Sequence, residues 1–217
     1  MPKQQSIGKC SLCGEVFGKA AMTRHLTKCS QAQTPATRAK QGPARAFHLV
    51  VEGRWKAYWL HLSVPVKARL STLDAFLRHI WLECCGHMSA FEIGGMRYSC
   101  SPSLEEESGM ETPLGRVLDV GTKFFYEYDF GSTTELRLTV AGFWNLGKPE
   151  GAVQLLARNE PPLIICSQCR TQPATEICTA CEAPWLCESC AAEHDCGEEM
   201  FLPVVNSPRV GVCGYTG

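Results

Sequence analysis

The sequence has no apolar run approaching the roughly 20 residues that a membrane helix requires, and no apolar leader core follows Met1. A membrane span and a secretory signal are therefore not expected, and the chain reads as cytoplasmic. Basic side chains are scarce at the far end, where residues 150–217 carry only Arg158, Arg170 and Arg209 against nine acids. That balance argues against a polyanion partner there and suits a protein partner instead. Acid is scarce at the near end, where residues 1–46 hold eight Lys/Arg against Glu15 alone. The formal net charge of −1 hides this split, so the two ends should prefer different partners. Apolar side chains larger than Ala are missing from Ser30 to Ala46, and residues 31–46 read as a basic flexible linker.

Cysteine, by contrast, is abundant: there are 14 in 217 residues. In a cytosolic chain of this length such usage favours metal over disulfides, which staple small secreted domains. Seven cysteines and one histidine fall between residues 166 and 196, as Cys166-x2-Cys169, Cys178-x2-Cys181, Cys187-x2-Cys190, His194 and Cys196. Zinc takes four N or S ligands tetrahedrally, and a two-residue gap lets one tight turn aim two thiolates at one ion. Eight donors make two sites. Cys213 is a spare donor that could replace Cys196. Thiolate-rich, closed sites of this kind are structural rather than catalytic.

Near the start, Cys10-x2-Cys13 is followed after eleven residues by His25-x3-Cys29, two donors one helical turn apart. A unit so short cannot bury a core alone, and zinc binding of roughly 10 to 16 kcal/mol would be its folding energy. In all, three zinc ions are expected. Lys9, Lys19, Arg24, Lys28, Arg38, Lys40 and Arg45 are the candidate phosphate contacts of residues 1–46.

Between these ends, Phe47–Val51 and Ala57–Val64 read as a first hairpin. Ser71 is placed as the N-cap of a helix whose Leu73, Phe76, Leu77 and Ile80 recur at helical spacing. Gly94-Gly95 marks a second hairpin. Phe124, Tyr126, Tyr128 and Phe130, then Leu136, Leu138 and Val140, alternate about Gly131 as a third, with one aromatic face buried. A short helix is expected from Gly151 to Ala157. Cys84, Cys85, Cys100, His79 and His87 offer a conceivable fourth metal site, but buried free cysteine is common in cores and they are taken as ordinary residues of the body, with His87 a half-buried histidine at the strand entrance.

The expected fold class is α+β, a central mixed domain of β-hairpins with one main helix, flanked by two small zinc-binding modules. The expected division is a zinc finger (1–30), the linker (31–46), the body (47–149), and a double-zinc module with the C-terminal tail (150–217).

Three resemblances add to this. The first segment resembles a finger of the two-cysteine, two-histidine class, with Cys29 in place of the second His and one residue fewer than usual before His25. The last segment resembles the cross-braced modules of the B-box, RING and MYND type. That resemblance implies one site of Cys166, Cys169, Cys187 and Cys190 and another of Cys178, Cys181, His194 and Cys196. The body, roughly 47–144, is similar to the plasmid pRiA ORF-three-like family, met among passenger proteins of bacterial insertion elements. The likeness rests on Ser71-Thr72-Leu73, on Gly86-His87-Met88-Ser89-Ala90-Phe91-Glu92 and on Tyr126-Glu127-Tyr128-Asp129-Phe130-Gly131. The chain departs from that family at Ser132, Thr134 and Leu136, where members carry Asp, Trp and His, and after Pro161-Pro162. The family lends no established activity.

The functional expectation is a non-enzymatic zinc-binding interaction protein of mobile-element type, its basic finger for nucleic acid and its acidic module for protein. The alternative is an enzyme using Tyr128, Asp129, His87 or Glu127 as acid and base; no nucleophile, base and orienter are fixed together by the sequence.

Overall fold

The computed structural model describes residues 6–33, 44–53, 56–102, 107–146, 153–182 and 184–217. The chain runs β1 (Ile7–Cys10), β2 (Val16–Gly18), α1 (Lys19–Gln33), β3 (Ala44–Gly53), β4 (Trp59–Pro65) and α2 (Leu70–Leu77). It continues through β5 (Ser89–Ile93), β6 (Met96–Ser99), β7 (Glu107–Gly109), α3 (Leu114–Val117), β8 (Lys123–Tyr128), β9 (Thr134–Leu146) and β10 (Gln154–Asn159). Last come β11 (Glu176–Cys178), β12 (Trp185–Leu186), α4 (Glu188–Ala192) and β13 (Phe201–Pro203).

Ten strands form one sheet in the order β2-β1-β10-β4-β3-β9-β8-β5-β6-β7, and β12-β11-β13 form a second, smaller one. All pairs are antiparallel except β6 with β7. The fold class is α+β.

Period-2 alternation decides which side chains meet α2. Leu60, Leu62 and Val64 of β4, and Leu136, Leu138 and Val140 of β9, face Leu70, Leu73, Leu77 and Trp81 in the main core. Phe124, Tyr126 and Tyr128 of β8 lie there too, as their alternation requires. Phe130 does not continue that face: it is exposed, past the end of β8, with Arg97 over its ring. The intervening residues of β4, Trp59 and His61, point to the other side. There Trp59, Trp144, Leu156 and Ala157 meet Met22 and Leu26 of α1. Trp144 reaches that side because β9 carries an extra residue between the pairs His48↔Gly142 and Leu49↔Val140, a bulge that switches its faces.

The helix expected at Gly151–Ala157 is instead, in its described part, the strand β10. Its pairing with both β1 and β4 overrides local helix propensity. Through that pairing the finger's hairpin is part of the main sheet. Gly8 makes the approach possible: a Cβ there would lie 2.2 Å from the Arg158 carbonyl and 2.5 Å from the Trp59 ring. Of the expected linker, residues 31–33 end α1 and 44–46 begin β3, while 34–43 lie outside the described residues.

Ser71 is not the N-cap of α2; Arg69 is, without a side-chain cap. The first amides are satisfied by backbone instead, Leu70 N donating to the Thr112 carbonyl and Ser71 N to that of Met110. A π-helical turn, Arg78–Leu82, follows α2 directly. Its Arg78 donates to Asp74 at 3.0 Å, Glu83 at 2.9 Å and the His87 carbonyl at 2.7 Å. Glu83 in turn accepts from Tyr128 Oη at 2.9 Å and from the Gly86 amide at 2.6 Å. The loop 83–87 is thereby pinned to α2 and β8.

Candidate metal centres

The Cys-x2-Cys turn after β1 and the inner face of α1 bring Cys10, Cys13, His25 and Cys29 together, all four donor atoms within 4.8 Å of one another. Cys13 Sγ lies 3.2 Å from His25 Nε2. Phe17 stacks on the His25 ring at 4.3 Å between centroids, and Glu15 Oε2 stands 3.9 Å from His25 Nδ1, the outer nitrogen. Burial, with Cys10 and Cys13 beside it, pushes the Cys29 thiol up to about 12. Gathered thiols resist ionisation together, and a dication among them reverses that cost.

In the C-terminal module the pairs interleave. Cys166, Cys169, Cys187 and Cys190 gather within 4.8 Å, the last two supplied by the N-cap and body of α4. Cys169 and Cys187 stand 3.8 Å apart at sulfur. Thr171 Oγ1, donating at 3.3 Å, and the Gln172 and Thr171 amides bring the Cys169 thiol down to about 6. Cys187, burial, Cys166 and Cys169 push Cys190 up to about 12. Cys178, at the end of β11, gathers with His194 and Cys196. Cys181 Sγ lies 3.5 Å from His194 Nε2, beside the same group. Burial would raise the Cys178 thiol, but the Ala180 amide, Cys181, His194 and Cys196 bring it down to about 7.

Cys213 does not gather with Cys178, His194 and Cys196. The tail returns to the body, where Cys213 joins Cys84, Cys85 and His87 in a fourth group within 4.8 Å. Cys85 and Cys213 are exposed and Cys84 and His87 are half-buried, so Cys84 and Cys85 are not the buried core cysteines expected. Spacing could not reveal this group, because Cys85 and Cys213 are 128 residues apart; the adjacent pair Cys84-Cys85 with His87 two positions on was the signal present. Cys100 is exposed, its Sγ accepting from the Ser89 amide at 3.3 Å, and His79 is exposed on the π-helical turn. These four Cys/His groups have donor sets that can hold metal ions, compatible with zinc.

The candidate phosphate contacts separate. Lys9, Arg24 and Lys28 are exposed. Lys19 is ion-paired with Glu52 of β3. Arg45 is exposed and lies over the Phe143 ring at 3.9 Å. Arg38 and Lys40 lie outside the described residues.

Of the four groups that an acid–base site would use, His87 lies with its Nδ1 3.5 Å from Asp129 Oδ1 and its ring edge-on to that of Tyr128, and the other three each have a further partner. Glu127 pairs with Arg97 at 2.9 Å, Tyr128 Oη donates to Glu83, and Asp129 pairs with buried Arg209 at 2.7 Å. A cleft of about 440 Å³ lies beside the finger, lined by Lys9, Ser11, Arg158, Glu160 and Asn206 among others, and not at those residues.

No family model matches the chain, and no curated protein matches it. Among solved structures, a protein of unknown function from Methanosarcina mazei Go1 is similar at 16% identity, over 52% of this chain and 67% of that one, with a TM-score of 0.43, too faint a likeness to carry an argument.

Proposed function

We propose that this is a zinc-stabilised interaction protein without catalytic activity, whose finger contacts nucleic acid and whose acidic C-terminal module contacts protein. The observation that carries the reading is the donor geometry of the finger and the module. Each gathers sulfurs and an imidazole or four sulfurs, the closed set of a structural zinc site, so three ions are assigned to the twelve donors. The body is assigned to the plasmid pRiA ORF-three-like family, and a mobile-element setting comes with it. The support is the Tyr126–Gly131 run, which here ends β8 and opens the turn into β9.

The finger presents a polar outer face. Met22 and Leu26 are buried against the sheet while Arg24 and Lys28, one turn apart, are exposed. Lys19, at the start of α1, is held by Glu52, so that end of the helix is not free to read bases. The expected mode is therefore phosphate contact with little sequence preference. In the module, seven thiolates outweigh two dications, deepening the acidic charge and favouring a basic protein surface over a polyanion.

The test is a titration of the full chain with labelled duplex DNA, single-stranded DNA and RNA at two salt concentrations. A log–log salt slope of roughly −3 to −4 is expected for Lys9, Arg24, Lys28 and Arg45 together. Replacing Lys9, Arg24 and Lys28 by Ala should flatten it by about 2.7. Salt-insensitive binding, or none at low salt, overturns the nucleic-acid role. Charge variants are preferable to deleting residues 1–46, because that deletion would remove two strands of the main sheet.

A further inference from the structure

We propose that Cys84, Cys85, His87 and Cys213 form a fourth metal centre, a zinc site that latches the C-terminal tail onto the α+β body. It shares the zinc chemistry of the other three sites but stands independently of the nucleic-acid role.

The donors fit one ion. Tetrahedral bonds of about 2.3 Å to sulfur and about 2.1 Å to nitrogen place two sulfurs about 3.8 Å apart, and a sulfur and a nitrogen about 3.6 Å apart. Here Cys84 and Cys85 are 3.6 Å apart at sulfur and Cys85 and Cys213 are 3.8 Å apart. His87 Nε2 lies 2.9 Å from Cys85 Sγ and 3.2 Å from Cys213 Sγ, closer than that spacing, so the imidazole must withdraw by about 0.4 to 0.7 Å to share an ion with them. These are the contacts of a shared centre rather than of a disulfide, whose sulfurs sit about 2.05 Å apart.

The surroundings also fit. A metal-ligating histidine commonly gives its other nitrogen to a carboxylate, which fixes the ring and its tautomer. His87 Nδ1 lies 3.5 Å from Asp129 Oδ1, leaving Nε2 turned to the thiols. Asp129 is itself fixed by Arg209 at 2.7 Å and by the amides of Gly131 and Ser132. Arg209 also donates to Cys84 Sγ at 3.4 Å. Three thiolates and a neutral imidazole around a dication carry one excess negative charge; Arg209 and Asp129 offset each other, and the guanidinium's donation to Cys84 Sγ stabilises that thiolate.

Both strands of the site are bent to reach it. Gly86, at φ 78°, lets the chain reverse so that Cys85 and His87 face the same point. Cys213 holds φ 50°, a conformation that a non-glycine residue keeps only where its surroundings demand it. Ser207 Oγ donates to the Trp81 carbonyl at 2.6 Å, anchoring the tail before it turns. The ion would close the loop that leaves the sheet after β10, passes through the acidic module and comes back.

The experiment uses the full chain purified with zinc and reductant and without chelator. Native mass spectrometry should count four zinc ions in the wild type, and three in each of Cys85→Ser and Cys213→Ser. The double variant should also hold three, since both cysteines serve one ion. Cys213→His should keep four. A variant that does not fold leaves the wild type to decide. Exposed free thiols alkylate rapidly, so protection of Cys84, Cys85 and Cys213 in the zinc-loaded protein, mapped by peptide and lost on chelation, supports the site. Rapid alkylation of Cys85 and Cys213 in the zinc-loaded protein, or an unchanged count in both single variants, overturns it. Because the mapping reads each cysteine, failure here is distinguishable from failure at the finger or the module.

Discussion

Arg209 and Asp129, 80 residues apart in the chain, meet at 2.7 Å in the interior, with the guanidinium fully buried. The same guanidinium donates to Thr134 Oγ1 at 3.0 Å and to the Ser132 carbonyl at 3.2 Å, and it lies over the Tyr128 ring. One side chain thus ties the tail to the β8–β9 turn. Removing one partner of a buried pair strands the other charge, at a cost of about 3–5 kcal/mol. Arg209→Met is expected to lose that much in urea unfolding in zinc-containing buffer, and Arg209→Lys, which keeps the charge but not the fork, less. A loss under about 1 kcal/mol for Arg209→Met would show that the pair scarcely stabilises the fold. Burial works against ionising Asp129, but Arg209 and the Ser132 and Gly131 amides outweigh it and hold the carboxyl below its usual range. The pair's contribution is therefore present above about pH 4 and is lost as pH falls through the lowered folded value.

Gly8 admits β1 to the main sheet, and it yields the next expectation. Any Cβ there meets the Arg158 carbonyl at 2.2 Å, a backbone atom that cannot swing aside. Gly8→Val should push β1 off β10 and cost about 1–3 kcal/mol, the usual penalty of overpacking. Amide hydrogen exchange should show lost protection at Lys9, Cys10 and Arg158 before any change in β8 or β9. Unchanged protection at β1 would mean that the hairpin accommodates the side chain by shifting as a unit.

The contrast between what the sequence showed and what it hid follows from distance along the chain. Hairpins and the α2 stripe were legible because alternation and helical period are local: Leu60, Leu62 and Val64 announce their face within five residues. The finger and module groups were legible because two-residue gaps encode a turn, and an interleaved pairing was implied by resemblance. The β10 strand was hidden because its identity is fixed by partners about 90 and 150 residues earlier in the chain, in β4 and β1. The fourth donor of the Cys84, Cys85 and His87 group, Cys213, was hidden for the same reason. Cys213 meets Cys85 only because Arg209 and Ser207 seat the tail, and no periodicity records that. The helix start was misplaced because backbone carbonyls from the loop before α3 took the work of a capping side chain.

His48 and His61 form a buried pair between the sheet and the finger helix, His48 Nε2 lying 2.8 Å from His61 Nδ1. Burial lowers His48 to about 4 and, with His48 beside it, His61 to about 3. The unfolded chain takes up protons at both near pH 6.5, whereas the folded protein does not. The pair's contribution is thus fully present above about pH 6.5 and declines as pH falls toward 4, by at most about 1.4 kcal/mol per pH unit per histidine. Ring resonances followed by NMR separate this from zinc release in the same range. Both should stay neutral to about pH 5, and a midpoint above 6 for either would sink the expectation.

Chelation should divide the molecule unevenly, because its parts bury very different apolar surfaces. Among the described residues of 166–203 the buried apolar set, apart from cysteines, is Ala174, Ile177 and Leu186. The finger contributes Met22 and Leu26, packed on Trp59, Trp144 and Leu156. The main core gathers α2 and the aromatic and aliphatic faces of β3, β4, β8 and β9, and it contains none of the finger or module donors. A structural zinc ion adds roughly 10 to 16 kcal/mol to a small domain, far more than two or three buried side chains supply. Stripping metal with a strong chelator is therefore expected to remove exchange protection from α1 and from β11–β13. Trp59 and Trp144 should shift their emission to longer wavelength as α1 lifts away, while the β8–β9 amides keep their protection. Retention of α1 protection in the metal-free protein would show that Met22 and Leu26 against the sheet suffice to hold the finger. Loss of protection throughout would show that the main core depends on the ions as much as the modules do.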